Sequence, residues 1–426
     1  MVRTGQLIAH NASQRKAHAP VWAAVLPGLG LAIRATPQGE IVTEQAGRQH
    51  PVTGAQGLSR NDRMPGNTGN HAVIVHVSFA REVPLRRGGT ANARRTNCAA
   101  LLTAYYTCGM ALHDTPAGAV LVVGAANMDI TGSTRNPLTP GDSIPGHIRS
   151  APGGVARNVA ENLARLGTPV QLLAAVGDDA FGNSLLASTS KAGVGVSGCW
   201  VLPGLSTSTY MSVHGPDGDM AIAINDLDIV ENLTPQRLAG RQKLLQAARA
   251  LMLDCNLSGA ALQYLFENAA GRPVFVDAVS AFKCRRVLPW LAGIHTLKVN
   301  QLEARALSGI AHNGEEANAG MVAWLHAQGV FRVVLSLGER GVYWSERGGA
   351  HGLQKPPPVQ VVNVTGAGDA LMAGLLHQTV CGAPLQQAVR FASACAALTL
   401  LVPGANHPGL SDAAVHQLLA NGHLPD

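Results

Sequence analysis

The 426-residue chain reads as an α/β protein built on a doubly wound sheet, and three observations point there. Short, continuous apolar runs such as residues 119–125 (AVLVVGA) suit strands buried on both faces. They alternate with amphipathic segments of helical period. A turn bracketed by glycines, residues 363–369 (NVTGAGD), runs straight into an apolar helix, 367–381, followed by a second, 384–400.

Taken in order, residues 119–125 form the first strand, and Asn127 and Asp129 follow at its carboxyl end. Ligands gather there in open α/β sheets, although both residue types also simply make turns. Gly153 and Gly154 then open a helix whose Val155, Val159, Leu163 and Leu166 share one face, with Gly167 closing it. Asn158 lies in its first turns. Residues 170–176 make a strand and 181–192 a helix. From 200 to 226 the pattern changes to short β-like runs, 207–213 and 220–224, joined by a Gly-Pro-Asp-Gly turn, which suits a lid. Strand and helix then alternate through Ala250–Asp254, 259–269, Val274–Asp277, 296–299, 315–328 and 332–337.

The composition excludes several classes. At 46% apolar and 14% charged residues the chain has ample material for a core. Its basic balance belongs to residues 1–117, which hold 12 Lys and Arg against 5 acidic residues, leaving 20 against 21 for the rest. Charge therefore gives no argument for nucleic-acid binding. Seven scattered cysteines without a C-x-x-C pair fit reduced thiols in the cytoplasm. The longest apolar runs fall well short of the ~20 residues that span a bilayer. Residues 1–117 show no sustained period beyond a strand-like 73–79, with a loop at 28–30. They are expected to be a disordered or mis-assigned extension, with the functional protein starting near Met110. An Arg-rich targeting segment is the alternative.

The chemistry is expected at the glycine turn. Backbone amides at a helix start face outward and the helix dipole adds positive potential, so Gly366, Ala367 and Gly368 suit a phosphate. Asp369 is either a first-turn acid favoured by the dipole or a general base beside the transferred phosphoryl group. No G-x-x-x-x-G-K-[S/T] loop and no G-x-S-x-G elbow occurs.

The ordered set of Asn127 with Asp129, Gly153-Gly154 with Asn158, Asn300 with Glu303, residues 336–338, and the GAGD turn resembles the ribokinase-like, or phosphofructokinase B, family of carbohydrate kinases. The resemblance covers residues 118–420. Segments such as PGGVARNVAENLARLG, AINDLDI, VDAVSAFK and VNVTGAGDALMAG are most similar to its pseudouridine kinases. It implies a three-layer α/β/α fold with a small β lid and an ATP- and Mg²⁺-dependent transfer to a nucleoside 5'-hydroxyl. Another nucleoside or sugar, or a sugar-binding regulator without turnover, is the alternative. Asp369 would be the base, with the amides of Gly366, Ala367 and Gly368 holding the developing charge. Asn127, Asp129, Gly153, Gly154, Asn158 and Asn256 would grip the sugar. Asn300 and Glu303 would order Mg²⁺ and its waters, and Ser336, Gly338 and Gly341 would line the nucleotide. Lys283 would contact phosphate or sit solvated on a helix. Asn363 stands where relatives carry an aspartate that helps bind a monovalent cation, which leaves potassium activation open. A homodimer joined through the lid is also implied.

Overall fold

The computed structural model describes residues 118–311 and 314–421, together with four short strands nearer the N-terminus. The chain divides into two units, Met1–Tyr105 and Tyr106–Asp426. In the first, Trp22–Leu26 (β1), Leu31–Ala35 (β2), Ile41–Gln45 (β3) and Arg48–Gln49 (β4) form an antiparallel meander. These strands were not anticipated; none exceeds 5 residues, too few for a period of two to register. The expected strand at 73–79, the loop at 28–30 and Met110 lie outside the described residues.

The second unit opens with Val120–Val123 (β5), Asn127–Thr134 (β6), Gly146–Gly153 (β7), Val155–Arg165 (α1), Val170–Leu173 (β8), Ala175–Gly177 (β9) and Ala180–Lys191 (α2). It continues through Trp200–Leu202 (β10), Thr209–His214 (β11), Met220–Asp226 (β12), Pro235–Ala239 (α3), Gln242–Ala247 (α4), Ala250–Asp254 (β13) and Gly259–Glu267 (α5). Then come Val274–Asp277 (β14), Thr296–Asn300 (β15), Gln301–Ser308 (α6), Glu315–Ala327 (α7) and Arg332–Ser336 (β16). Val342–Glu346 (β17), His351–Gln354 (β18), Ala367–Val380 (α8), Leu385–Thr399 (α9) and Asp412–Asn421 (α10) complete it.

The main sheet has the order β18-β17-β16-β15-β14-β13-β5-β8. Its six strands from β16 to β8 run parallel, while β17 and β18 add on antiparallel. Alternation along β13 shows why the parallel strands read as unbroken apolar runs. Leu251 and Leu253 enter a core shared with Leu262 of α5 and Met321 of α7. Ala250 and Met252 enter the opposite core with Val159 of α1 and Met372 of α8. Both faces are covered, which makes the three layers.

A separate four-stranded sheet, in the order β12-β11-β6-β7, forms the lid. This revises the expected span of 200–226. Half of the lid comes from residues 127–134 and 146–153, whereas β10 at 200–202 pairs with β9 instead. Asn127 and Asp129 accordingly begin a lid strand rather than a loop. The parallel pairing of β6 with β11, Asp129 opposite Tyr210, joins segments about eighty residues apart, and no local period reports it.

Candidate active site

The GAGD turn folds as its glycines require. Gly366 caps α8 with φ 82°, a left-handed conformation that costs an L-residue about 1–2 kcal/mol. It also lies so close to the 403–406 loop that a side-chain carbon there would meet the Ala405 carbonyl carbon at 2.6 Å. The amides that follow, at Ala367 and Gly368, belong to the first turn of α8, where helical amides have no intrahelical partner. Asp369 is buried beside them, 8% exposed. Burial and the nearby Asp277 carboxylate push its pKa up to about 7, against the opposing pull of Lys298, the Asn158 hydrogen bond and Arg157. A carboxyl poised there can change protonation near neutral pH, as a general base must.

Of the residues expected to grip a sugar, Asn158 reaches that carboxylate directly. Asn158 Nδ2 on α1 donates to Asp369 Oδ2 at 2.7 Å across 211 residues of sequence. Asn127 Nδ2 donates to Asp129 Oδ1 at 2.5 Å. Burial raises the Asp129 pKa, partly offset by Asn127 and Arg157. Gly153 gives Asp129 its room, since a side chain at 153 would come within 2.5 Å of the Asp129 carboxyl carbon. Gly154, at φ 95°, passes the Ala125 carbonyl oxygen, which a side chain would strike at 2.5 Å. The Asn158 hydrogen bond and the charge of Arg157, which acts on both Asp129 and Asp369, link the two halves of the expected site.

Asn300 and Ser336, both expected near the nucleotide, lie opposite each other on adjacent strands β15 and β16. Asn300 caps α6: its Oδ1 accepts from Glu303 N at 2.9 Å, and the Glu303 carboxylate accepts from Asn300 N and Nδ2, each at 2.8 Å. Glu303 is thus no surface acid. It is 2% exposed, and burial raises its pKa against the pull of Lys298. Both Glu303 oxygens are engaged by Asn300 in this capping box, so the pair expected to order Mg²⁺ could reach the ion only through water. Among the described residues no group of three or more His, Cys, Asp or Glu is arranged to hold a metal ion. Gly338 (φ 63°) turns the chain from β16 towards β17 with open space around it. Gly341 (φ 99°) packs against the Gln354 and Lys355 backbone, so its first duty is to that packing.

Asn256 follows β13, and its Oδ1 accepts from Lys283 Nζ at 2.6 Å. Lys283 begins a short 3-10 helix and is half-buried with its ammonium held by Asn256, so it does not sit fully solvated on a helix face. Burial lowers its pKa against the opposing pull of the Asp254 carboxylate, and Arg286 adds to the fall. Asn363 Nδ2 donates to the Pro403 carbonyl at 2.8 Å while its Oδ1 accepts from Thr365 N at 3.1 Å. An amide donor here ties together two loops at the foot of α8.

Several residues that organise the cluster carried no local signal. Asp254, fully buried, accepts from Ala125 N at 2.9 Å and Ala156 N at 3.1 Å, pinning the end of β5 to the start of α1. Arg157, also buried, donates to Gly153 O at 2.8 Å and Asn406 Oδ1 at 2.7 Å and pairs with Glu161. Burial lowers the Arg157 pKa, and the carboxylates of Glu161, Asp369 and Asp129 resist that fall. Asn406 returns hydrogen bonds to Asn158 O at 3.0 Å and Asn162 Oδ1 at 2.9 Å. Lys298 and Asp277, 2.9 Å apart, lie beneath the glycine turn. Only its place between Leu297 and Val299 in a strand-like segment could have marked Lys298.

A parallel sheet under a β lid, with a carboxylate at a glycine-started helix, defines a phosphotransferase of ribokinase-like fold that acts on an alcohol group. The chain belongs to the pfkB family of carbohydrate kinases, whose profile matches residues 118–413. It is 47% identical over 302 residues to pseudouridine kinase of Escherichia coli strain K12, covering 71% of this chain and 96% of that protein. It is 43% identical over 291 residues to a second protein of the same strain, the uncharacterized sugar kinase YeiI, covering 68% of this chain and 80% of that one. The structure of Arabidopsis thaliana ribokinase complexed with ribose and ATP superposes with a TM-score of 0.64 at 25% identity, over 71% of this chain and 99% of that one. Among the described residues no helix is long and apolar enough to cross a membrane.

Proposed function

We propose that the protein transfers the γ-phosphoryl group of ATP to the 5'-hydroxyl of pseudouridine. The observation that carries the reaction is the Asn158–Asp369 hydrogen bond, which brings the ribose grip and the base to one point. The substrate rests on the 47% identity to pseudouridine kinase. Asp369 takes the hydroxyl proton as the 5'-oxygen bonds to the γ-phosphorus. The bond to the bridging oxygen breaks, and ADP leaves with that electron pair. Amides at Gly366, Ala367 and Gly368 face the equatorial oxygens. Asn300 and Glu303 would hold Mg²⁺ through its waters; the ion neutralises triphosphate charge.

A recess of about 140 Å³, lined by Asn225, Asp228, Glu231, Asn256, Lys283 and Arg286, is the proposed place for the base. Pseudouridine joins uracil to ribose through carbon, so both ring nitrogens keep a proton. Acceptors at Asn225, Asp228 and Glu231 suit those protons, and Lys283 and Arg286 suit the carbonyls. A coupled ADP-release assay over pseudouridine, uridine, adenosine and ribose is expected to show the highest kcat/KM for pseudouridine. Equal or faster turnover of ribose would remove the substrate assignment and leave the kinase.

We further propose a homodimer through the lid. Met220, Ile222 and Ile224 alternate along β12 onto one face and are 55–58% exposed, an apolar stripe costly to leave in water. Sedimentation at micromolar concentration should give a dimer, and Ile222→Lys a monomer. A monomeric parent protein would end this reading.

A further inference from the structure

Lys298 stands in an unusual position. It lies between the apolar Leu297 and Val299 of β15, and its ammonium is buried in the sheet with Asp277 as its direct partner on β14, where the two residues are register neighbours. A side chain at Gly368 would come within 2.7 Å of Lys298 Nζ. The ammonium therefore lies directly under the second residue of α8, one residue from Asp369.

Asp277 is engaged on both oxygens. Oδ2 accepts from Lys298 at 2.9 Å, and Oδ1 accepts from Val279 N at 2.9 Å. Val279 has φ 65°, a strained conformation for a β-branched residue that persists only where the surroundings enforce it. The turn it makes leads to Ser280, whose Oγ accepts from Lys283 N at 3.2 Å. One carboxylate thus joins the turn that delivers Lys283 to the cation beneath the glycine cradle.

We infer that Lys298 is a positioning residue whose ammonium, held by Asp277 beneath Gly368, fixes the charge balance at the phosphate-accepting helix start and keeps Asp369 in its proton-accepting form. The charged groups around Asp369 are Asp277 from β14, Lys298 from β15 and Arg157 from α1. A pair serving stability alone is commonly replaceable by apolar residues at little cost. This pair is placed where replacement changes the charge that an incoming phosphate and its base both experience.

The inference rests on Asp369 being the base, and the test separates the two. The acid limb of kcat against pH is measured for the wild type, Lys298→Met, Asp277→Asn, the double variant and Asp369→Asn. Removing the cation favours protonated Asp369, so the limb moves up by about one pH unit in Lys298→Met. Removing the anion moves it down in Asp277→Asn. The double variant leaves no unpaired buried charge, so it remains folded by thermal melting, with its limb between those of the single variants and kcat at least about tenfold below wild type. Nucleoside KM stays within about threefold throughout. Limbs that superimpose, limbs that move the same way, or a folded double variant with wild-type kcat overturn the role of Lys298. Retained turnover in Asp369→Asn overturns the base assignment instead.

Discussion

Asp369→Asn is expected to lower kcat by on the order of 10²–10⁴-fold while nucleoside binding is retained. Asparagine keeps the shape and can accept the Asn158 hydrogen bond through its carbonyl, so the cluster of Asn158, Arg157 and Asn406 stays assembled. What is lost is the group that takes the proton. In the wild type that group titrates near pH 7 because burial and Asp277 disfavour its charge, so kcat should fall as pH drops through about 7. The stability consequence has the opposite sign from the usual acid. A carboxyl whose folded pKa lies above its unfolded value binds protons more tightly when folded, so its ionisation destabilises the fold as pH rises from about 4 to 7. Asp369→Asn should therefore melt no lower than wild type at pH 8. Stopped-flow turnover, nucleoside titration calorimetry and a melt series from pH 5 to 8 check the three statements. Turnover within about threefold of wild type would remove the proposed base.

Gly366→Ala should be the second most damaging change, with kcat down by about 10²–10³-fold, the loss expected when a backbone cradle for developing charge is displaced. Alanine at φ 82° bears the left-handed penalty of about 1–2 kcal/mol. Its methyl would also overlap the backbone at Ala405. Either the 363–366 turn or the 403–406 loop must move, and the second carries Asn406, which holds α1 through Asn158 and Asn162. Gly382 supplies the control. It has the same φ of 82° but no neighbour within 4 Å, so Gly382→Ala should cost only the dihedral penalty and leave turnover intact. Equal kinetics in the two variants would show that crowding at Gly366 is irrelevant to catalysis.

Much of this was legible in residue order because its cause is local. Strands Ala250–Asp254 and Val274–Asp277 fall where the apolar runs placed them, since a strand buried on both faces needs nothing beyond its own composition. The start of α8 at Gly366 and of α1 after Gly154 follows from glycines that alone tolerate those dihedrals. The lid was half-legible: β11 and β12 announced themselves, but β6 joins them through pairing with a distant segment. Strand β17 and the edge strand β18, short and polar in part, gave no run to read.

The sequence by itself determined that a glycine-started helix with an acid in its first turn and a glycine pair ahead of a second helix exist in this chain, because turns and helix origins are decided within a few residues. Tertiary structure alone decided that they meet, that Lys283 faces Asn256, that Lys298, Asp277 and Arg157 are the charges nearest Asp369, and that Asn406 ties Arg157 to Asn158. The reason is that burial and hydrogen bonding act between residues far apart along the chain, where a lysine in a strand and an arginine in a helix look like any others until the low-dielectric interior gives each a partner.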